Sequence, residues 1–127
     1  MKHLLLDTHA ILWWLSDAPQ LGELARKTIA DPQNLVYVSA ASIWEMSIKS
    51  AMGKLKVSDD LDSIIEEEGF IPLPISLYHG KQAGRLPKHH HDPFDRMLIA
   101  QAQAEGLQLV TKDKQIALYG IDLLRIK

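Results

Sequence analysis

Short apolar runs alternate with longer helical patterns along the chain, and this alternation constrains the fold more than any other feature. The apolar runs are predicted strands, and they cover residues 3–6, 35–38, 71–75, 108–110 and 121–126. The helical patterns are predicted helices, and they cover residues 8–15, 21–30, 41–52, 61–68, 77–84 and 93–105. Because continuously apolar strands separated by helices are typical of buried parallel sheets, we expect an α/β fold with helices on both faces. Pro72 and Pro74 favour an edge position for the third strand.

Length and composition set the domain organisation. The 127 residues, 46% of them hydrophobic, are enough for one compact domain over residues 1–127 and too few for two. The 14 basic and 16 acidic side chains give a formal charge of −2, so any nucleic-acid contact has to be local or bridged by metal. The lack of cysteine excludes disulfides and thiolate chemistry and favours a cytoplasmic location. The apolar run before Asp7 is too short for a signal peptide or a membrane span, so no membrane association is expected.

Acidic residues follow the predicted strands. Asp7 ends the first strand, Glu45 lies early in the helix after the second, and Asp113 follows the fourth. Asp95 lies at the amino end of the helix that enters the fourth strand, and a parallel fourth strand puts that end at the same edge of the sheet. Because sites in parallel sheets form at the carboxyl ends of the strands, we expect these four carboxylates to converge.

Converging carboxylates repel one another, and a fold tolerates this repulsion when cations or protons compensate the charge. Oxygen ligands suit Mg²⁺ or Mn²⁺, and Mg²⁺ keeps several waters and accepts phosphate oxygens. The sequence therefore predicts a metal-dependent enzyme that hydrolyses phosphodiester bonds.

Three of these acids also have a purely structural interpretation, and the sequence leaves it open. Asp7 suits the cap of the following helix. Glu45 completes a capping box with Ser42, and Asp113 suits a turn between a strand and a helix. No single acid is persuasive alone, and the hypothesis depends on their shared edge.

The sequence also predicts roles for three residues next to these acids. Asp92 resembles the cap of the next helix, so we assign Asp92 to capping and Asp95 to metal binding. Lys49 lies one helical turn after Glu45, which fits an ion pair or a phosphate contact equally well. Trp44 is interpreted as a core residue rather than as a platform for base stacking.

Three adjacent histidines, residues 89–91, suggest zinc because histidine is the commonest transition-metal ligand. Their spacing fits neither the histidines of zinc fingers nor the one-turn spacing of helical zinc sites. We therefore interpret them as a polar loop beside the site, in which His91 is a candidate for contact with substrate phosphate.

The first predicted helix is more apolar than one buried face requires. Residues 10–15 read Ala-Ile-Leu-Trp-Trp-Leu. Either both faces are buried within the domain, or one face meets another chain. The second alternative makes a partner interface of Ile11, Leu12, Trp13 and Trp14.

Four motifs, in this order over nearly the whole chain, resemble those of PIN-domain proteins and in particular those of bacterial VapC-type toxins. They are Leu-Leu-Leu-Asp-Thr-His at residues 4–9, Ser-Ile-Trp-Glu-Met-Ser-Ile-Lys at 42–49, Asp-Pro-Phe-Asp-Arg-Met-Leu-Ile-Ala at 92–100 and Val-Thr-Lys-Asp at 110–113. Each motif is short, and their common order makes the resemblance specific.

The resemblance implies a PIN-like domain with a five-stranded parallel sheet. It also implies an endoribonuclease that cuts RNA with water activated by Mg²⁺ or Mn²⁺. The implied catalytic residues and metal ligands are Asp7, Glu45, Asp95 and Asp113, with Thr111 as a supporting hydroxyl. Such toxins are commonly held inactive by a cognate antitoxin and commonly form homodimers. His91 departs from the pattern, since similar chains often have arginine there, and the departure concerns substrate handling rather than the metal site.

Other functions fit less well. A phosphatase of the haloacid dehalogenase kind needs a second Asp where this chain has His9. A receiver-type signalling domain needs an Asp in the region of Pro74 and Ser76. The remaining alternative is a catalytically inactive PIN-fold protein that binds RNA or an antitoxin, and the intact set of four acids argues against it.

Overall fold

In the part of the chain that the structure describes, five strands form one parallel sheet in the order β3-β2-β1-β4-β5. The computed structural model describes residues 1–126, so Lys127, the last residue of the predicted domain, lies outside the described residues. The strands are β1 His3–Leu6, β2 Leu35–Ser39, β3 Ile71–Leu73, β4 Gln108–Thr111 and β5 Leu123–Arg125. Every neighbouring pair of strands is parallel, which confirms the predicted five-stranded sheet.

The two edge strands are shorter than predicted. β3 ends before Pro74, and β5 begins only at Leu123. Pro72 lies within β3 and is opposite Val38 of β2. β3 is an edge strand, as the two prolines predicted, because a proline has no backbone N–H to offer a second neighbouring strand.

Within residues 1–126, six α-helices connect and cover the strands. They are α1 Thr8–Leu15, α2 Glu23–Ala30, α3 Ala40–Ala51, α4 Leu61–Glu67, α5 Leu77–Arg85 and α6 Pro93–Glu105. α2 begins two residues later than predicted because Gly22, with φ of +81°, separates it from a short 3₁₀ turn at Pro19–Leu21. Among residues 1–126, no helix is both long enough and apolar enough to cross a membrane.

Apolar residues pack on both faces of the sheet. Leu4 and Leu6 belong to one cluster of buried residues, and Leu5, between them in β1, belongs to the other. This alternation follows from strand geometry, since successive side chains point to opposite faces. Each of these leucines is fully buried, and burying a leucine stabilises a fold by roughly 1.5–3 kcal/mol. Helices therefore cover both faces, as predicted.

The carboxyl ends of β1, β2 and β4 lie side by side. Leu6 pairs with Val38 of β2 and with Val110 of β4, so the residues that follow these strands share one edge. The backbone N–H of Asp7 donates to the carbonyl of Val110 at 3.1 Å and continues the ladder by one residue. This edge carries the predicted site.

Candidate metal centre

Asp7 joins the end of β1 to the start of α1, and both of its carboxylate oxygens accept hydrogen bonds. Oδ1 accepts from the backbone N–H of Ala10 at 2.8 Å, so Asp7 does cap α1. Oδ2 accepts from the Thr111 hydroxyl at 2.6 Å. Burial raises the pKa of Asp7, although the hydrogen bonds from Thr111 and Ala10 oppose the rise. The capping and site interpretations are therefore compatible.

Glu45 lies in α3, and a hydrogen bond connects it to the start of α1. The hydroxyl of Thr8 donates to its Oε1 at 2.6 Å, and the Lys49 ammonium donates to its Oε2 at 2.7 Å. Lys49 thus forms the ion pair that its spacing allowed. The hydrogen bond with Glu45 raises the pKa of Lys49 against its partial burial, and the charges of Glu45, Asp92 and Asp95 add to the rise.

The predicted capping box of Ser42 and Glu45 is wrong. β2 runs directly into α3, so the helix begins at Ala40 with Ser39 as its cap. The Ser39 hydroxyl accepts from the backbone N–H of Ala41 at 3.0 Å. Ser42 lies inside the helix, and the carboxylate of Glu45 is therefore available for the site.

Asp95 is positioned by the cap of α6. Asp92 accepts hydrogen bonds from the backbone N–H groups of Phe94 and Asp95, which confirms its predicted capping role. Burial raises the pKa of Asp95 to about 7, and the charges of Asp92, Asp7 and Glu45 add to the rise. His90 lowers it. These repulsions place Asp95 within electrostatic reach of both Asp7 and Glu45.

Asp113 follows β4 and is held by two donors. Its Oδ1 accepts from the backbone N–H of Gln115 at 2.8 Å, which is the turn that the sequence allowed. Its Oδ2 lies 2.6 Å from Nε2 of His90. The same Nε2 lies 3.2 Å from Oδ2 of Asp95, so His90 links the two acids.

Residues 89–91 lie in a loop between α5 and α6, as predicted, but His90 does not face solvent with its two neighbours. His89 and His91 are exposed, but His90 is buried between the amino end of α6 and the segment after β4. The ligand atoms of His90, Asp95 and Asp113 all lie within 4.8 Å of one another and form a candidate cation-binding group. The structure therefore brings His90 into the site and leaves His91 outside that group.

His90 and Thr8 are site residues that were not predicted. The His90 ring accepts the backbone N–H of Asp92 at 3.1 Å, a contact that the spacing of the two residues does not by itself indicate. For Thr8, nothing in the sequence indicates a contact with Glu45, which is 37 residues away.

A cleft of about 400 Å³ gives access to the acids. It is lined by Asp7, His9, Trp13, Asp95, Lys112 and Asp113. The Trp13 ring stacks on His9 with their centroids 5.4 Å apart, and Nζ of Lys112 lies 5.8 Å from the Trp13 ring centroid. The lining of the cleft therefore combines acidic side chains with aromatic and basic ones.

The donor set fits a divalent cation held by oxygen ligands. Burial raises the pKa of Asp95 most, and the charges of Asp92, Asp7 and Glu45 add to the rise, so these acids lie close enough to repel one another. Hydrogen bonds orient Asp7, Glu45 and Asp113, and a carboxylate oxygen that accepts one hydrogen bond keeps a further lone pair for a cation. Mg²⁺ and Mn²⁺ prefer such ligands.

The predicted partner interface on α1 is only partly accessible. Ile11 is fully buried in the core, so the interface role predicted for it is wrong. Leu12, Trp13 and Trp14 are half-buried. The Trp14 indole N–H donates to Glu68 at 2.6 Å and its ring packs against Phe70.

Trp44 was predicted to be a core residue, and the structure contradicts this. Its side chain points outward from α3, is 61% exposed and contacts the edge of Phe94. It borders two apolar grooves, of about 580 and 260 Å³. The neighbouring Glu45 faces inward because successive helical residues point about 100° apart.

Comparisons with known proteins agree with this geometry. The PIN domain family model matches residues 4–121. Ribonuclease VapC22 of Mycobacterium tuberculosis is 28% identical over 119 residues, which are 91% of each chain.

Solved structures share the fold as well. The complex of VapBC2 from Rickettsia felis with a promoter DNA fragment has a TM-score of 0.73 at 15% identity and covers 98% of this chain and 99% of that one. VapBC-5 of Mycobacterium tuberculosis, from the VapBC family of toxin–antitoxin systems, has a TM-score of 0.62 at 16% identity, with coverage of 99% and 100%. Since the family model spans all four acids and most of the chain, the protein belongs to the PIN domain family.

Proposed function

We propose that the protein is a metal-dependent endoribonuclease, the toxin of a toxin–antitoxin pair, acting in the cytoplasm with Mg²⁺ or Mn²⁺. The observation that carries the proposal is the convergence, in a PIN domain, of acids from four separate parts of the chain. These proposed catalytic residues and metal ligands are Asp7, Glu45, Asp95 and Asp113. Similarity to a ribonuclease and to a toxin–antitoxin system supports the choice of RNA and of an antitoxin.

The chain's own residues prepare the site for phosphodiester hydrolysis. Thr111 and Thr8 orient Asp7 and Glu45, and Lys49 compensates the charge of Glu45. When bound, a divalent cation polarises a phosphate oxygen and lowers the pKa of water, which supplies the nucleophile. Protonation of Asp95 competes with binding of the cation, because its pKa is raised to about 7.

The aromatic and basic side chains that line the cleft, His9, Trp13 and Lys112, are the proposed contacts for RNA. A polyanion that approaches four acids needs local positive charge, and Lys112 supplies it beside the Trp13 ring. Trp13 and His9 offer flat rings to an unpaired base, which is how single-stranded RNA is commonly bound. His91 is exposed and stays a candidate for contact with phosphate.

A cleavage assay on unstructured and structured RNA tests the proposal. We expect cleavage with Mg²⁺ or Mn²⁺, loss of cleavage with a chelator, and recovery when metal is restored. Asp62→Asn is a matched control, because Asp62 is an exposed acid outside the cleft. Binding of RNA without any cleavage at any metal concentration would instead support the catalytically inactive alternative.

Two apolar surfaces are available for partners, and we assign each to one partner. Trp13 lines the cleft, so an antitoxin bound to Leu12, Trp13 and Trp14 covers the route of RNA to the acids. The more exposed surface lies around Trp44, which is 61% exposed and borders both apolar grooves. We propose that a second copy of the chain covers it in a homodimer.

Two variants separate these assignments. Trp44→Ala is expected to weaken self-association in sedimentation and to leave antitoxin binding intact. Trp14→Ala is expected to do the reverse. If both variants lose the same interaction, the two partners share one surface and the assignment is wrong.

A further inference from the structure

We propose that His90 is a positioning residue of the metal centre, acting as an N–H donor to Asp113, beside Asp95, rather than as a metal ligand. The inference rests on the proposed metal centre. One histidine and two carboxylates, such as His90, Asp95 and Asp113, are also a ligand set that transition metals bind. The structure therefore has to distinguish a metal ligand from a hydrogen-bond donor at His90.

The hydrogen bonds of the His90 ring decide its tautomer. Nδ1 lies 3.1 Å from the backbone nitrogen of Asp92, and a backbone N–H can only donate. Nδ1 must therefore be the unprotonated acceptor nitrogen. The proton of the neutral ring is then on Nε2, where it points at Oδ2 of Asp113, 2.6 Å away.

This arrangement is the reverse of that in a ligating histidine. A histidine that binds metal through one nitrogen usually donates the N–H of the other nitrogen to a carboxylate or a carbonyl. For His90 to bind metal through Nε2, its proton would have to move to Nδ1 and face the N–H of Asp92. Two donors would then oppose each other in a buried position, which costs the hydrogen bond and adds repulsion.

The surroundings hold the ring in place. The backbone N–H of His90 donates to the Tyr119 hydroxyl at 2.9 Å, and its carbonyl accepts from Arg96 at 3.2 Å. Tyr119 in turn donates to the carbonyl of Pro87 at 2.7 Å. With both ends of the residue fixed and the ring buried, Nε2 stays directed at the two acids.

The consequence concerns which cations the site accepts. If His90 only donates, the ligands are carboxylate oxygens, and the site suits Mg²⁺ and Mn²⁺ without the preference for Zn²⁺ that a nitrogen ligand adds. The donor keeps Asp113 turned toward Asp95, together with the Gln115 N–H on the other oxygen.

The first experiment reads the tautomer directly. In ¹⁵N-labelled protein, long-range ¹H–¹⁵N correlations distinguish a ring protonated at Nε2 from one protonated at Nδ1, and His90→Gln identifies the signals of His90. We expect the Nε2-protonated form without metal and, unchanged, with saturating Mg²⁺. A shift to the Nδ1-protonated form on addition of Mg²⁺ or Zn²⁺ would overturn the proposal.

The second experiment compares metal affinities by calorimetry for Mg²⁺, Mn²⁺ and Zn²⁺. His90→Ala should weaken Mg²⁺ and Mn²⁺ binding by about tenfold or more, as loss of an outer-shell donor does. His90→Gln places an amide donor near Nε2 and should recover much of that loss. His91→Gln, an exposed neighbour, is the matched control.

The outcomes separate the two proposals. A loss confined to Zn²⁺, or no loss for any ion in His90→Ala, contradicts the donor role. If the wild-type protein binds neither Mg²⁺ nor Mn²⁺, the proposed metal centre fails, while the tautomer measured without metal still tests His90.

Discussion

The proposed metal centre consists of two pairs of acids that the fold holds in different ways. The inner pair, Asp7 and Glu45, is almost fully buried, with 5% and 7% exposed. Each member accepts a hydrogen bond of 2.6 Å from a threonine hydroxyl. The outer pair, Asp95 and Asp113, has side chains that are 23% and 31% exposed and shares the ring of His90.

The difference shows which part of the site depends on the sheet. Thr8 directly follows Asp7, and Thr111 is the last residue of β4, so the donors of the inner pair are fixed by strand ends. The donor of the outer pair comes from the segment before α6, outside the regular elements. We therefore expect the inner pair to dominate activity and stability, and the outer pair to tolerate change better.

The largest expected effect is on catalysis by the inner pair. Asp7→Asn should lower RNA cleavage on the order of a hundredfold or more, because it removes a charge that holds the cation. The metal-free fold should persist or gain stability, since asparagine also caps helices and relieves repulsion. Cleavage rates and thermal melts of Asp7→Asn and Asp113→Asn measure this. An equal or larger loss in Asp113→Asn would contradict the ranking of the two pairs.

The next effect concerns the two threonine donors. Thr8→Val and Thr111→Val keep the side-chain shape but leave a buried carboxylate without its hydroxyl donor. Each should lower the free energy of unfolding by about 1–3 kcal/mol. Metal affinity should fall by about 10- to 100-fold.

Thr8→Ser and Thr111→Ser are the matched controls, because serine keeps the hydroxyl. Denaturant unfolding and calorimetry provide the measurements. If the serine variants lose as much as the valine variants, the methyl group rather than the hydroxyl is responsible, and the inner pair is not held as described.

A smaller effect is the pH dependence of stability in the metal-free protein. Burial raises the pKa of Asp95 from 3.8 to about 7, so the folded state binds this proton more tightly than the unfolded state. This tighter proton binding stabilises the folded state fully below pH 3.8, and the stabilisation is lost as pH rises through about 7. The free energy of unfolding falls by at most about 1.4 kcal/mol per pH unit in between.

Asp95→Asn should therefore flatten the decline of unfolding free energy between pH 4 and 7, and Asp62→Asn should leave it unchanged. Denaturant titrations with a chelator present measure both curves. A wild-type protein whose stability falls no more steeply over this window than that of Asp95→Asn would contradict a raised pKa at Asp95.

The smallest effect is expected from the exposed histidines beside the outer pair. His91→Ala should raise KM for RNA a few-fold and leave metal binding unchanged, because His91 is outside the cation-binding group. His89→Ala is the control. A loss of metal-dependent stabilisation in either variant would show that the exposed histidines, and not His90 alone, support the outer pair.

The acids of the site could be predicted from the local sequence. Asp7, Glu45 and Asp113 follow buried strands, and Asp95 follows a helix cap, so their shared edge could be predicted from the order of the elements. The edge position of β3 could likewise be predicted from Pro72, because its missing N–H acts at the residue itself.

The partners of those acids could not be found in the same way. Thr8 and Glu45 meet only because α1 and α3 pack together, and Thr111 reaches Asp7 across 104 residues through the pairing of β1 with β4. Trp44 was misplaced because the side of α3 that faces the core is decided by packing, which buries Glu45 and Met46 and leaves Trp44 outward.

The α/β order, the parallel sheet and the acids at its edge could be predicted from the sequence, because strand burial, helix periodicity and capping act over a few neighbouring residues. Which of the three adjacent histidines turns inward could not be predicted in this way. That choice depends on Tyr119, Arg96 and Asp113, which the fold brings to His90 from other parts of the chain. Hydrogen bonds between distant residues require their donors and acceptors to be placed within about 3 Å, and only packing of the whole domain achieves this.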